Sequence, residues 1–520
     1  MQDKKIKIRR ALISVSDKTG LADLAVMLHR AGIEIISSGG TGKFLFDSNI
    51  PYTPIEKVTG NPECFGGRMK TLSFQVSSAL LFRRDDEGDV KQAADLGISP
   101  IDLLVCNLYP FEDAVKKGAP WKEVVENIDI GGPTLIRAAA KNYAHVAVVT
   151  DPAQYPLITP EIGLETRERL ALEAFRHTAR YDGLIASKME EVWQAEPRTI
   201  ILSPQGAQEL RYGENPHQKS WVYKDAFNPG VAGTKPLQGK ELSYNNLLDA
   251  DAAWRSCGDV ASLDNKNFPH AVSIIKHLTP CGIGLARTQI QSLQLSWAGD
   301  PISSFGGVLA FNTEVGADAA EWLEDKFIEV VVAPSFSADA LVVFEKKKSL
   351  RLLKTPSFDG MYKQPMVKSI SGGFVVQQED VGIDAEFVPV TGAVFPHEKT
   401  ELARFGIMAC KHLKSNAIGL FSSHKNGFSM VGAGMGNPNR LISIKQAVEK
   451  ARENGITDFS HLVMVSDAFF PFSDNIDMAK AAGIRTIVQP GGSVKDKDVI
   501  AAANDAGIAM AFTGRRHFRH

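Results

Sequence analysis

From Ala11 to Val149, short apolar runs alternate with segments of helical spacing. Ala11-Leu12-Ile13-Ser14-Val15 reads as a strand, Leu21 to Arg30 as a helix, and Ile33-Glu34-Ile35-Ile36 as the next strand. Ile101-Asp102-Leu103-Leu104-Val105 and Val146-Ala147-Val148-Val149 repeat the strand pattern. Such alternation predicts a parallel sheet covered by helices. A long helical segment, Arg167 to Trp193, leads into a Pro- and Gly-punctuated stretch, Pro197 to Gly206, where the main domain boundary is expected. The pattern divides the chain into 1–200 and 201–520, the second part again mixed α/β with subdomains of about 201–370 and 371–520. Its least regular stretch, Glu345 to Ser371 with Lys346-Lys347-Lys348, reads as a surface loop or subdomain connection. No internal repeat is apparent.

Length and composition narrow the class. A chain of 520 residues exceeds one core. With 44% apolar residues, 23% charged residues and a formal net charge of −2, it lacks the broad basic field of a nucleic-acid binder. The five cysteines (Cys64, Cys106, Cys257, Cys281, Cys410) are scattered without metal-ligand spacing, which fits a reduced compartment. The basic start, Lys4 to Arg10, has no apolar stretch behind it for a signal sequence, and no run reaches the roughly 18 apolar residues of a membrane span. The expectation is a cytoplasmic protein with no membrane and no nucleic-acid partner. Its 44 glycines, many clustered, suggest loops that approach small ligands closely.

Two strand-to-helix turns carry candidate anion chemistry. Ser14-Val15-Ser16-Asp17-Lys18-Thr19-Gly20 and Ser37-Ser38-Gly39-Gly40-Thr41-Gly42-Lys43 place hydroxyls, glycines and a lysine at helix starts. Free N–H groups, the helix dipole and a countercharge suit a phosphate there. Capping by Ser or Thr explains such turns equally well, but open parallel sheets bind ligands at these ends. The second turn is not a triphosphate loop, because Ser37 replaces its first glycine and Phe44 its final hydroxyl residue.

Further candidates follow along the chain. Gly66-Gly67-Arg68-Met69-Lys70-Thr71 and Asn107-Leu108-Tyr109-Pro110-Phe111 precede the run Ile128 to Asn142, in which Asp129 stands before Gly131-Gly132-Pro133 and Lys141 closes the helix. Each of those two charges also reads as an ordinary helix-end charge. In Leu210 to Gln218, Arg211 offers a planar fork for phosphate and Tyr212 a ring. Lys276 and His277 end the apolar run Ala271 to Ile275. Neighbours on a strand face opposite ways, but Pro280 and Gly282 are expected to break the strand and let both groups reach one substrate. An imidazole can take a proton near neutral pH and an ammonium can stabilise an oxyanion, which is equipment for acyl-type transfer. An exposed cation beside a packed histidine is the bland alternative. Pro280-Cys281 lacks the second cysteine of a zinc deaminase, with Gly284 in its place, so Cys281 reads as a packed small residue.

Together with Ser304-Phe305-Gly306-Gly307, Ser466 to Phe472, Gln489 to Ser493 and Arg515 to His520, these segments resemble a bifunctional purine-biosynthesis family over essentially the whole chain. That family joins aminoimidazole-carboxamide ribonucleotide (AICAR) formyltransferase to inosine monophosphate (IMP) cyclohydrolase. The resemblance implies a methylglyoxal-synthase-like parallel-sheet domain, then a cytidine-deaminase-like α/β formyltransferase region of two subdomains without catalytic zinc. It implies that Lys70, Tyr109, Asp129 and Lys141 close the second purine ring, while Ser16, Lys18, Ser38, Gly40, Thr41, Arg68 and Thr71 hold the nucleotide. Lys276 and His277 become the formyl-transfer pair. Arg211, Tyr212, Phe305, Gly306, Glu329, Asn416, Arg440, Phe518 and His520 contact AICAR, and Asp467, Phe469, Phe470, Pro471, Phe472 and Asp474 shape the folate pocket. The implied cosubstrate is 10-formyltetrahydrofolate, with no catalytic metal, room for a monovalent cation, and a homodimer whose formyltransferase sites lie at the subunit interface.

Some positions depart from the family pattern. Leu72-Ser73-Phe74 and Ser77-Ser78-Ala79 stand where His-Pro and His-Gly-Gly are usual, Thr279 replaces an asparagine, and Asn437 and Asn439 replace Gln and Ser. The lost histidines keep two alternatives open: an active formyltransferase with a silent cyclohydrolase domain, and a regulatory protein that binds phosphometabolites on the same scaffolds.

Overall fold

Arg10–Ser14 (β1) is apolar and fully buried at Ala11, Leu12 and Ile13, so it needs cover on both faces. The structure, a computed structural model, describes residues 5–62, 64–65, 71–195, 205–225, 228, 230–263, 265–355, 358, 365–383 and 387–520. Two compact units divide the chain, Met1–Pro204 and Gln205–His520.

In the first unit β1 pairs in parallel with Glu34–Ser37 (β2) and Leu103–Cys106 (β4). Thr53–Pro54 (β3) and Ala147–Val149 (β5) extend the sheet in parallel to the order β3-β2-β1-β4-β5. Helices such as Leu21–Arg30 and Leu164–Trp193 bury Leu24, Leu28 and Leu170 against it. This is the parallel sheet that the strand–helix alternation predicts.

The second unit is built on one eleven-stranded sheet. His270–Lys276 (β6) and Thr279–Ala286 (β7) form a hairpin; Val308–Phe311 (β8), Val330–Ala333 (β9) and Arg351–Lys354 (β10) extend it beyond β6. Val388–Pro389 (β11) lies at the opposite end of the sheet. Ile418–His424 (β12) and Gly427–Gly434 (β13) form a second hairpin, extended by Val463–Ser466 (β14), Thr486–Gln489 (β15) and Ala509–Phe512 (β16). The order is β10-β9-β8-β6-β7-β13-β12-β14-β15-β16-β11.

Three sequence expectations change here. The unit is an internal repeat of topology: helix, hairpin, helix, then three strands joined in parallel by helices, once from Tyr244 to Lys354 and again from Thr400 to Phe512. Pro280 and Gly282 do not break the strand. Pro280 pairs with Ile275 and Gly282 with Ile274, and a bulge between them absorbs the extra residue. Within the irregular Glu345–Ser371 stretch, Arg351–Lys354 is a sheet strand with Leu352 and Leu353 fully buried.

The repeat is visible in packing as well as in order. A Cβ at Gly282 would lie 1.7 Å from the carbonyl oxygen of Ser296, and one at Gly284 would lie 2.7 Å from that of Ser292, both on the helix Gln289–Ala298. In the second half, a Cβ at Gly434 would lie 2.0 Å from the carbonyl oxygen of Ser443, and one at Gly432 would lie 2.3 Å from that of Ala447, both on Arg440–Glu453. The Gly432–Gly436 run, which superficially imitates a dinucleotide fingerprint, therefore begins with residues that seat a helix on a strand. Gly282→Ala is expected to destabilise the second unit by about 3 kcal/mol, because backbone must move. Gly233→Ala, which meets nothing within 4 Å, should leave the thermal midpoint unchanged; scanning calorimetry of both variants checks this.

Candidate active sites

In the first unit the chain leaves β1 for β2 on one side and later returns to β4 on the other, which opens a crevice at the strand ends. Asn107, just after β4, closes on the turn after β1. Its Oδ1 accepts from the backbone N–H groups of Ser16 (2.6 Å) and Asp17 (2.9 Å), and its Nδ2 donates to the Asp17 carbonyl (2.9 Å). Lys18 Nζ donates to the Ser16 carbonyl at 3.2 Å. Thr41 Oγ1 accepts from Val15 N–H and donates to the Val15 carbonyl, each at 3.0 Å, so its hydroxyl ties the two turns together. Ser38, at the cap of Gly39–Asp47, makes no side-chain cap bond, and Gly40 faces open space. The helix start is thus left with N–H groups that an anion can use.

The same crevice receives Asp129. Its Oδ1 accepts from Gly132 N–H at 2.8 Å, and its own N–H donates to the Tyr181 hydroxyl at 2.7 Å. Burial raises the Asp129 carboxyl above the usual range, opposed by the N–H groups of Gly132, Tyr109 and Gly131. The double glycine makes this convergence fit. A Cβ on Gly131 would lie 2.7 Å from Thr71 Oγ1, and one on Gly132 would lie 2.6 Å from both Asp129 Oδ2 and Leu108. Tyr109 remains exposed beside them. Lys141 is not brought to this group: it ends the helix Gly131–Lys141, about 15 Å of axial rise from its start, as a last-turn cation. Arg68 and Lys70 lie outside the described residues.

In the second unit the antiparallel junction of β7 and β13 brings the ends of both half-sheets to one edge. The β6–β7 turn and the starts of β8, β9 and β10 lie there with the start of β12 and the ends of β13 to β16. Lys276 Nζ donates to the Phe305 carbonyl at 2.8 Å. Gly306, at φ 75°, follows it, and a Cβ there would lie 3.9 Å from the ammonium. His277 is exposed and opens the turn. Glu329, half exposed before β9, accepts from Asn246 Nδ2 at 2.9 Å and lies 3.5 Å from Arg351. Arg211 stands over the Tyr212 ring at 5.2 Å, and both act electrostatically on Arg351.

A second cluster gathers three strand positions away, about 14 Å along the sheet. Arg440 donates to Asn416 Oδ1 (2.9 Å), Asp467 Oδ1 (2.8 Å) and the Phe469 carbonyl (2.9 Å). Asp467 is wholly buried and also accepts from Ser415 Oγ at 2.5 Å, so it holds the arginine instead of facing a ligand. Phe470 belongs to the core, whereas Phe472 and Asp474 are exposed, with Phe469 and Pro471 half-buried.

The segment Arg515–His520 docks beside this cluster instead of fraying. His517 N–H donates to the Asp467 carbonyl (2.9 Å), the Arg519 carbonyl accepts from Ser415 N–H (2.9 Å), and Lys368 Nζ reaches the His520 carbonyl (2.8 Å). Arg519 Nη1 meets His412 Nδ1 at 2.9 Å, and His412 Nε2 meets Asp259 at 2.7 Å. Since arginine only donates, Nδ1 accepts and Nε2 carries the proton, a neutral form that burial favours by pushing the imidazole pKa down. Phe518 stays partly exposed under the Arg516 guanidinium at 4.8 Å.

Comparison with known proteins supplies the family. The AICARFT/IMPCHase bienzyme family matches residues 139–450, and an MGS-like domain matches 20–134. The bifunctional purine biosynthesis protein PurH of Persephonella marina is 43% identical over 98% of this chain and 100% of its own length. PurH of Sorangium cellulosum is 44% identical over 99% and 100%, respectively. The chain belongs to the AICARFT/IMPCHase bienzyme family. Its two activities are AICAR formyltransferase and IMP cyclohydrolase, on an MGS-like domain followed by the formyltransferase region. Formyl transfer of this family implies a folate formyl donor.

The positions that depart from the bienzyme pattern have local partners. Ser73 caps the helix Phe74–Leu81 by accepting from Val76 N–H at 3.1 Å, and Phe74 is exposed. Thr279 Oγ1 donates to the His277 carbonyl at 3.3 Å. Asn437 reaches Ser443 Oγ (3.0 Å) and Gln446 Oε1 (2.6 Å), and Asn439 caps the next helix at Leu441 N–H (2.9 Å). Sequence reading gave no role to Asn107, Asn246 or Asp249. The spacing Asn246–Asp249, three apart at the start of a helix, was the available signal that both point one way. Among the described residues no helix is long and apolar enough to cross a membrane.

The raised Asp129 carboxyl gives a pH test. A carboxylate that orients or accepts a proton must be ionised, so with Asp129 in such a role the acid limb of ring closure should lie above the usual carboxylate value of about 4. Asp129→Asn should lower kcat at least about 100-fold and remove that limb from the kcat/KM profile for formylated AICAR.

Proposed function

We propose that the second unit transfers the formyl group of 10-formyltetrahydrofolate to the 5-amino group of AICAR, and that the first unit closes the product to IMP. These are the last two steps of IMP biosynthesis. The observation that carries the reading is the convergence of Lys276, His277, Phe305, Gly306 and Glu329 on one sheet edge beside Arg211 and Tyr212.

The chemistry follows from that placement. The AICAR amine is a weak nucleophile because its lone pair is drawn toward the ring carboxamide. Its attack on the formyl carbon forms a C–N bond and puts negative charge on the formyl oxygen. His277 takes the amine proton, Lys276 stabilises the oxyanion, and collapse breaks the bond to the tetrahydrofolate nitrogen, which leaves with the proton that His277 took. Glu329, Arg211 and Tyr212 hold the nucleotide, with Asn416, Arg440, Phe518 and His520 completing its contacts. The Asp467–Asp474 region shapes the folate pocket through its exposed members. In the first unit the carboxamide nitrogen attacks the new formyl carbon and water is lost. Asp129 and Tyr109 orient these groups together with Lys70, and Ser16, Lys18, Ser38 and Gly40 receive the phosphate. Lys141 is assigned no contact with the reacting atoms.

The working form we assign is a cytoplasmic homodimer with formyltransferase sites at the subunit interface. The exposed apolar side chains of Ile370, Phe374, Val375 and Val376 on the hairpin Met366–Gln377 support a covering second copy. The serines in place of the family histidines keep one competing reading: transfer with silent ring closure. Supplying AICAR and 10-formyltetrahydrofolate and following both products separates the two. Tetrahydrofolate and IMP together are expected; uncyclised formyl nucleotide alone would leave only the formyltransferase. Deleting the last four residues, His517 to His520, removes the contacts of the docked segment with Ser415, Asp467 and His412. The deletion should abolish formyl transfer and spare closure of supplied formyl-AICAR. Unchanged transfer kinetics after the deletion would refute the docked role of this segment.

A further inference from the structure

The hairpin β6–β7 turns through only two residues, His277 and Leu278, between the paired Lys276 and Thr279. Both have left-handed backbones, with φ 55° and 59°. Such turns ordinarily use glycine, asparagine or aspartate, since other L side chains are strained there. The repeat supplies an internal control. The hairpin β12–β13 also turns through two residues, Lys425 and Asn426, between the paired His424 and Gly427, and neither has a positive φ. The strained turn is therefore not a requirement of the fold.

One side chain faces both strained amides. Asp249, on the helix Tyr244–Ala261, accepts from Leu278 N–H through Oδ1 at 2.6 Å and from His277 N–H through Oδ2 at 3.2 Å. Each carboxylate oxygen thus holds one residue of the turn. One helical turn earlier, Asn246 donates to Glu329, so the same helix fixes both the turn and the acid next to it. Burial raises the Asp249 carboxyl, and the charges of His277 and Glu329 act on it, which places all three groups in one electrostatic neighbourhood.

We infer that Asp249 is a positioning residue of formyl transfer: its carboxylate clamps the left-handed His277–Leu278 turn and thereby sets where the imidazole and the Lys276 ammonium point. This rests on the assignment of Lys276 and His277 to the transfer step. Both of its carboxylate oxygens accept from backbone N–H groups, so Asp249 acts through the backbone. An asparagine in its place sets an NH2 donor where one of the two carboxylate oxygens now accepts, so in this two-oxygen geometry one amide loses its partner, the turn relaxes and the imidazole leaves its line of approach. A misplacement of about 1 Å is enough to lower a rate about 100-fold.

The test uses the full chain. Asp249→Asn is expected to lower the kcat of formyl transfer by about 100-fold while KM for AICAR changes less than about threefold. Leu278→Gly, which accepts the left-handed backbone without help, should restore at least about tenfold of that loss in the double variant. Closure of supplied formyl-AICAR should be unchanged throughout. An unaltered kcat in Asp249→Asn overturns the inference, and so does a loss that Leu278→Gly fails to rescue, since Asp249 would then act by charge and not by holding the turn. If Asp249→Asn alone fails to fold, the double variant is compared with Leu278→Gly; kcat values within about tenfold of each other are expected, and a larger gap overturns the inference. Lys276→Ala and His277→Ala are measured in parallel. Retained transfer in those variants sinks the underlying assignment; lost transfer in them with retained transfer in Asp249→Asn sinks only the positioning role.

Discussion

Three residue pairs join the halves of the formyltransferase unit: Gly284 with Ser429, Leu285 with Phe428, and Ala286 with Gly427. Because β7 and β13 run antiparallel, the two similar halves are turned end over end. Strand starts from one half then share an edge with strand ends from the other. That arrangement puts Lys276, His277 and Glu329 on the same edge as Asn416, Arg440 and the segment Arg515–His520. Main-chain pairing decides which groups share the edge, and single side chains such as Asp249 only set how they point. The close contacts of Gly282, Gly284, Gly432 and Gly434 with their helices keep the layers near enough for that pairing to be covered.

A division of labour runs through both units. Groups that reach the crevice or edge are few, and buried or backbone-linked groups hold them. Asn107 and Thr41 fix the turns of the first unit through backbone bonds. Asp467 and Ser415 fix Arg440 in the second, while neutral His412 relays between Asp259 and Arg519. Supporting groups of this kind raise precision because the rotamers of the contacting groups are already chosen before ligand arrives.

The duplicated topology explains why the two hairpins differ where they do. Equal loop lengths with different backbones mean that one turn kept an ordinary geometry while the other took up strain. Strain of this sort persists only where neighbours impose it, and it concentrates at functional positions. The first hairpin carries the Lys-His pair; the second carries Lys425 and Asn426 at the other end of the sheet.

The sequence by itself determined the element types and the chemistry. The strands at Ala11, Ile33, Ile101 and Val146 follow from apolar runs, the helix through Arg167 to Trp193 from its spacing, and the family from motifs that span the chain. Those features are local: each is decided by neighbours within a few residues. Only the tertiary structure decided that Pro280 and Gly282 sit inside a strand, because a bulge opposite Ile274 and Ile275 takes up the irregularity. It alone placed Lys141 at the far end of a helix from Asp129, Phe470 in the core, and Asp249 beneath the His277 turn. The repeat was likewise hidden, since hydrogen-bonded order survives where side-chain identity does not. Contacts between residues such as Asp249 and Leu278 depend on how a helix lies across a sheet, and no local pattern along the chain encodes that distance.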